Sequence, residues 1–203
     1  MTTMTTTHWT DSLRRAACAD GIEDGRQYAT FADWWRGTQR SDYMLWLLER
    51  MGYPDDRKLR LLACRFVRGT RVDDTRTVWD LLTDERSRRA VEVAERYAVG
   101  EARKGELEAA ARAASSAARA ASSVAWAAAS AAAWVARATA RAAAWEAWEA
   151  WSAASAAACA AAWATATNSA RAQHAEIIRD MIPATEIAPL FERYIQTLHG
   201  ENP

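Results

Sequence analysis

Fifteen residues between Arg112 and Trp163 recur at steps of three or four: Arg112, Ser116, Arg119, Ser123, Trp126, Ser130, Trp134, Arg137, Arg141, Trp145, Trp148, Ser152, Ser155, Cys159 and Trp163. The mean step is about 3.6, the helical repeat, so one stripe of a helix would carry them all. Trp151 sits at its edge, and the positions between are mostly Ala. A stripe of Trp interleaved with Arg combines flat stacking surfaces with fixed positive charge. Ser adds hydroxyl donors without bulk. That chemistry suits a small anionic, aromatic ligand such as a nucleotide. Arg112, Arg119, Arg137 and Arg141 would meet its phosphates, while Trp126, Trp134, Trp145 and Trp148 would stack on it or wall the pocket. The same spacing serves packing equally well, since Trp at helical intervals fills cores and Arg beside it can snorkel to water.

The helix that positions this stripe is dictated by composition. From Glu106 to Ala172 there is no Gly or Pro, and about every second residue is Ala, the best helix former. As one straight helix the in-phase segment would be about 77 Å long at 1.5 Å per residue. A compact monomer of this length has a radius of gyration near about 17 Å. Either the helix breaks, at Ser115-Ser116 or Ser122-Ser123, or another chain supports it; the latter points to a homo-oligomer. The heptad echo ARAASSA then ARAASSV, from Ala111 to Val124, hints at repeated helix contacts.

The rest of the chain reads as short helices. Asp11 is a candidate N-cap for a helix running to Gly21, with Gly21 and Gly25 as punctuation. Thr30 would cap Phe31–Arg36, Ser41 would cap Asp42–Met51, and Gly52 would close it. Pro54-Asp55-Asp56 starts Arg57–Arg68, whose buried face is Leu59, Leu62, Ala63 and Phe66, with Arg57, Lys58, Arg60, Arg65 and Arg68 elsewhere. Thr83 would cap Asp84–Val99, closed by Gly100, and Gly105 marks the entry to the Ala-rich helix. Asn168 or Ser169 would cap a helix through Met181, and Pro189 would start a last one, Leu190–Leu198. No segment alternates with the period of a strand. The expected fold is all-α, with an N-terminal helical bundle over 1–104 and an Ala-rich long-helix region with C-terminal helices over 105–203.

Composition narrows the function. Lys+Arg and Asp+Glu are both 26, so the chain is neutral, which argues against general nucleic-acid binding but not against a local basic site. Cys18, Cys64 and Cys159 are scattered without a CxxC and read as reduced thiols of a cytoplasmic protein. His8, His174 and His199 have no metal-ligand spacing, so neither a metal nor another cofactor is expected. The opening MTTMTTTHWTDS does not read as a signal peptide. The uncharged runs Ala120–Ala136 and Ala150–Ala170 are Ala and Ser rather than Leu or Ile, and no membrane insertion is expected of them. Nucleotide-cradling glycine loops, zincin motifs and the nucleophile elbow are all missing. The paired carboxylates Asp55-Asp56 and Asp73-Asp74 precede helices, where capping or solvation accounts for them. A non-enzyme is therefore expected.

The segments DRKLRLLAC (Asp56–Cys64) and WDLLTDERSRRAVEVAERYAVGEA (Trp79–Ala102), followed by Ala-rich helix, resemble an uncharacterised Ala-rich helical family of bacteria and phages, some members of which are labelled immunity proteins. The resemblance covers about the middle half of the chain and supplies no catalytic residues. It implies a setting in conflict between bacteria, phages or toxins. Joined to the stripe, it gives the leading expectation: a protein that sequesters a small nucleotide-derived immune signal. Binding of a toxin protein through a surface patch, and a structural helical assembly without ligand, are the alternatives.

Overall fold

A computed structural model of the chain describes residues 8–120 and 167–200. The fold is all-α. The described helices are α1 (Ala19–Arg26), α2 (Phe31–Gly37), α3 (Ser41–Arg50), α4 (Asp56–Gly69), α5 (Glu85–Ala98), α6 (Lys104–Ala120), α7 (Thr167–Met181) and α8 (Ala184–Leu198), with 3-10 turns at Trp9–Leu13 and Trp79–Leu81. Among the described residues the only strand-like pairing is the isolated bridge between Arg71 and Thr77. None of the described helices is long and apolar enough to cross a membrane.

The chain divides into two compact units, Met1–Thr38 with Ile182–Pro203, and Gln39–Met181. The boundary expected at residue 104 falls inside the second unit, where α5 and α6 pack against each other.

In the first unit α8 packs on α2 and on the Trp9–Leu13 turn. Phe31 and Phe191 stack with ring centroids 3.8 Å apart and planes 6° from parallel. Trp35 is fully buried, and its indole N–H donates to the Ile182 carbonyl at 2.9 Å. Asp24 ties α1 to α2 by accepting from Trp34 Nε1 at 2.6 Å and from Thr38 Oγ1 at 2.9 Å. Asp11 is not the start of a long helix. The N-cap is His8, and Asp11 sits three residues on, accepting from the His8 backbone N–H at 3.2 Å in a capping box. Gly21 and Gly25 lie inside α1 instead of ending it. Close approach explains Gly25, since a Cβ there would stand 2.6 Å from Thr10 Cγ2 and 2.9 Å from Trp9 Cη2. Pro189 likewise lies inside α8 and does not begin it. The helix starts five residues earlier because Ala184, Ile187 and Phe191, spaced three and four apart, all bury. Proline's missing N–H costs one backbone bond, which that burial outweighs.

In the second unit α4 lies among α5, α7 and the Trp79–Leu81 turn, while α3 packs on α7. Leu59, Leu62, Ala63 and Phe66 of α4 are all buried, as their spacing requires. Asp55 caps α4 by accepting from Lys58 N at 2.8 Å, and Thr30 caps α2 in the same manner at 3.1 Å. Gly52 and Gly100 close their helices at positive φ, 60° and 83°. Two caps differ from expectation by one residue. Ser41 is already helical, preceded by Arg40, whose guanidinium grips Asp42 and lies 3.9 Å over the Tyr43 ring. Thr83 yields to Asp84, which accepts from Arg86 N at 2.9 Å; a carboxylate is the stronger acceptor at a helix N-terminus. Gly105 lies within the first turn of α6, which begins at Lys104.

Candidate functional site

α6 carries the described beginning of the Arg/Ser/Trp stripe, and its packing decides which way that beginning faces. Leu107, Ala110, Ala111, Ala114 and Ala117 are buried, the Ala positions being small enough to let the neighbouring helix approach closely. Arg112 and Ser116, one turn apart, are exposed. The Ala face is thus the packed face, and the polar stripe starts out on the opposite side. α6 runs unbroken through Ser115-Ser116, so the break considered there does not occur. Both hydroxyls are turned back on their own helix: Ser115 donates to the Ala111 carbonyl at 2.8 Å and Ser116 to the Arg112 carbonyl at 3.2 Å. The Ser116 hydrogen is therefore committed, and what it offers outward is an acceptor, not the expected donor. Arg119 lies on α6, though its side chain is not among those described. Trp126, Trp134, Arg137, Arg141, Trp145 and Trp148, with the Ser122-Ser123 step, lie outside the described residues.

A second feature of the same unit has no counterpart in the sequence reading. A pocket of about 590 Å³ opens where α4, α5 and the last residue of α7 meet. Leu61, Val99 and Met181 give it apolar walls. Arg65, Arg68, Glu95, Arg96 and Glu101 supply its charge. Arg68 is held by a bidentate pair with Glu95, Nη2 to Oε2 at 2.7 Å, and its guanidinium lies 3.9 Å over the Trp79 ring. The Glu95 carboxylate beside it raises the Arg68 pKa further above its ordinary value. Arg96 donates to the Glu101 carbonyl at 3.0 Å and stands 3.8 Å from Glu106 Oε1. Sequence periodicity showed only that Arg65 and Arg68 lie off the buried face of α4. The concavity depends on α5 arriving beside them after a 15-residue connection between Thr70 and Asp84.

Several of the remaining reactive groups are occupied structurally. Asp73 accepts from the backbone N–H of Thr75 and Arg76 at 3.0 and 2.8 Å and pairs with the Arg76 guanidinium, which together hold its carboxyl well below the usual carboxylate range. Asp55 is spent on its cap. The Cys64 thiol is fully buried and burial pushes it up, away from the reactive thiolate. His174 is buried against the Phe66 ring, with Nε2 at 2.8 Å from Thr70 Oγ1. That hydroxyl also lies 2.6 Å from the Phe66 carbonyl. Since its one hydrogen goes to the carbonyl, His174 Nε2 carries the proton and donates to Thr70. Among the described residues no three His, Cys, Asp or Glu side chains gather as a metal site would require.

No family model, curated protein or solved structure matches the chain. The resemblance read from Asp56–Cys64 and Trp79–Ala102 gains no support from them.

Proposed function

We propose that the chain is a non-enzymatic, homo-oligomeric binding protein that sequesters a small anionic, nucleotide-like ligand on the face that opens with Arg112 and Ser116, in the setting of phage–bacterium conflict. One observation supports the reading above the others. Arg112 and Ser116 are exposed while Ala110, Ala111, Ala114 and Ala117, on the other side of the same helix, are buried. The part of the stripe that lies on α6 is therefore open to a ligand. By sequence spacing Arg119, Trp126, Trp134, Arg137, Arg141, Trp145 and Trp148 share its phase.

Arg137 and Arg141 are the most specific part of the proposal. They stand four apart between Trp134 and Trp145, and the nearby acids Glu146 and Glu149 fall off the stripe. An unpaired charge facing protein would be costly, so the pair calls for an anion. Isothermal titration with a panel of mono- and dinucleotides tests this. Arg137→Ala should weaken binding by about 1.5–3 kcal/mol, the scale of a charged hydrogen bond, with the far-ultraviolet spectrum unchanged. An Arg137→Ala protein that unfolds while binding of the panel is nowhere detected would contradict it.

A further inference from the structure

We propose that the pocket between α4, α5 and the end of α7 is a second binding site, for an amphipathic monoanion: one anionic head carried on an apolar body. The inference is independent of the α6 face, as Arg112 is not among the lining residues.

Three observations carry it. The pocket's volume, about 590 Å³, lies within the roughly 300–1,000 Å³ that small-molecule sites occupy. Its apolar wall is open, with Val99 41% exposed, one of only two large apolar side chains so exposed among the described residues. An uncovered apolar wall inside a concavity gains from an apolar occupant, and water there makes few hydrogen bonds.

The third observation is the charge balance. Arg68 and Glu95 satisfy each other. Arg96 is engaged as well, by the Glu101 carbonyl at 3.0 Å and by Glu106 Oε1 at 3.8 Å. Arg65 is exposed and has no acidic partner among the described residues. One guanidinium is therefore surplus. Its planar fork matches the two oxygens of a carboxylate, sulfonate or phosphate diester. A single surplus charge, with Glu95 and Glu101 close by, disfavours a polyphosphate. This separates the pocket's ligand from a nucleotide di- or triphosphate.

The test is fluorescence titration of the full chain with 8-anilinonaphthalene-1-sulfonate, an aromatic monoanion, with laurate as competitor. Expected is saturable binding to one site per chain, displaced by laurate. Arg65→Gln and Val99→Glu should each weaken it by about tenfold or more, the effect of losing one charged hydrogen bond or the apolar wall. Both side chains are exposed, so circular dichroism should confirm an unchanged fold. Arg112→Ala should leave the titration as in the wild type. Wild-type affinity in Arg65→Gln and Val99→Glu, absence of saturable binding, or loss of binding in Arg112→Ala would each overturn the proposal.

Discussion

Trp35→Ala should cost about 4 kcal/mol, the scale of deleting a large buried aromatic side chain. Trp35 is fully buried, and its indole N–H satisfies the Ile182 carbonyl at the point where the chain turns into α8. Truncation leaves a cavity and an unpartnered buried carbonyl together. Trp35→Phe separates the two terms: it keeps most of the apolar volume and should cost about 1–3 kcal/mol, mainly for the orphaned carbonyl. The loss falls on the unit that joins Met1–Thr38 to Ile182–Pro203. Limited proteolysis of Trp35→Ala should therefore cut within α8 before it cuts within α4. Equal protection of α8 in variant and wild type would show that α2 does not hold it.

Acid should destabilise the second unit in a defined window. Burial lowers the His174 pKa from an ordinary 6.5 to about 4. Above pH 6.5 the imidazole is neutral in both folded and unfolded chains and contributes no pH dependence. Between 6.5 and 4 the unfolded chain takes up a proton that the folded chain refuses, so stability falls as pH falls. The total is about 3 kcal/mol across the window, at 1.36 kcal/mol per pH unit of displacement. The lowered carboxylates, Asp42 and Asp73 among them, add their own loss only at lower pH. Urea unfolding at pH 7.5, 6 and 5 measures the effect. His174→Gln keeps an N–H donor for Thr70 and should flatten the decline over this range, though its stability at pH 7.5 is lower. Parallel declines in variant and wild type would remove His174 as the cause.

Local rules made much of the fold legible. Thr30, Asp55, Gly52 and Gly100 act at their helix ends as their types predict, and the buried face of α4 follows from its spacing. The misread positions are those where long-range packing overrides local preference. Pro189 looks like a helix start until Ala184, Ile187 and Phe191 bury on one face. Gly25 looks like a breaker until Trp9 and Thr10 are brought against it. The pairing of the first 38 residues with the chain's end rests on Trp35–Ile182 and Phe31–Phe191, contacts across about 150 residues that no periodicity encodes. The pocket was hidden for the same reason: Leu61 and Arg65 come from α4, Arg96 from α5, Val99 from the C-cap of α5, and Met181 from α7. Of the Arg/Trp stripe, the sequence supplied the phase and α6 supplied the direction its first turn faces. The expected Ser donor was lost because a helical serine hydroxyl finds the carbonyl four residues back before it finds a ligand.

Native mass spectrometry of the purified full-length chain tests the central proposal most directly, because it reads assembly and bound small molecules in one spectrum. The account predicts an oligomer carrying, per subunit or per pair, an added mass that acid releases as an intact nucleotide-like anion, or that returns when the stripped protein is offered the nucleotide panel. A monomer that neither carries nor acquires any such mass would contradict it.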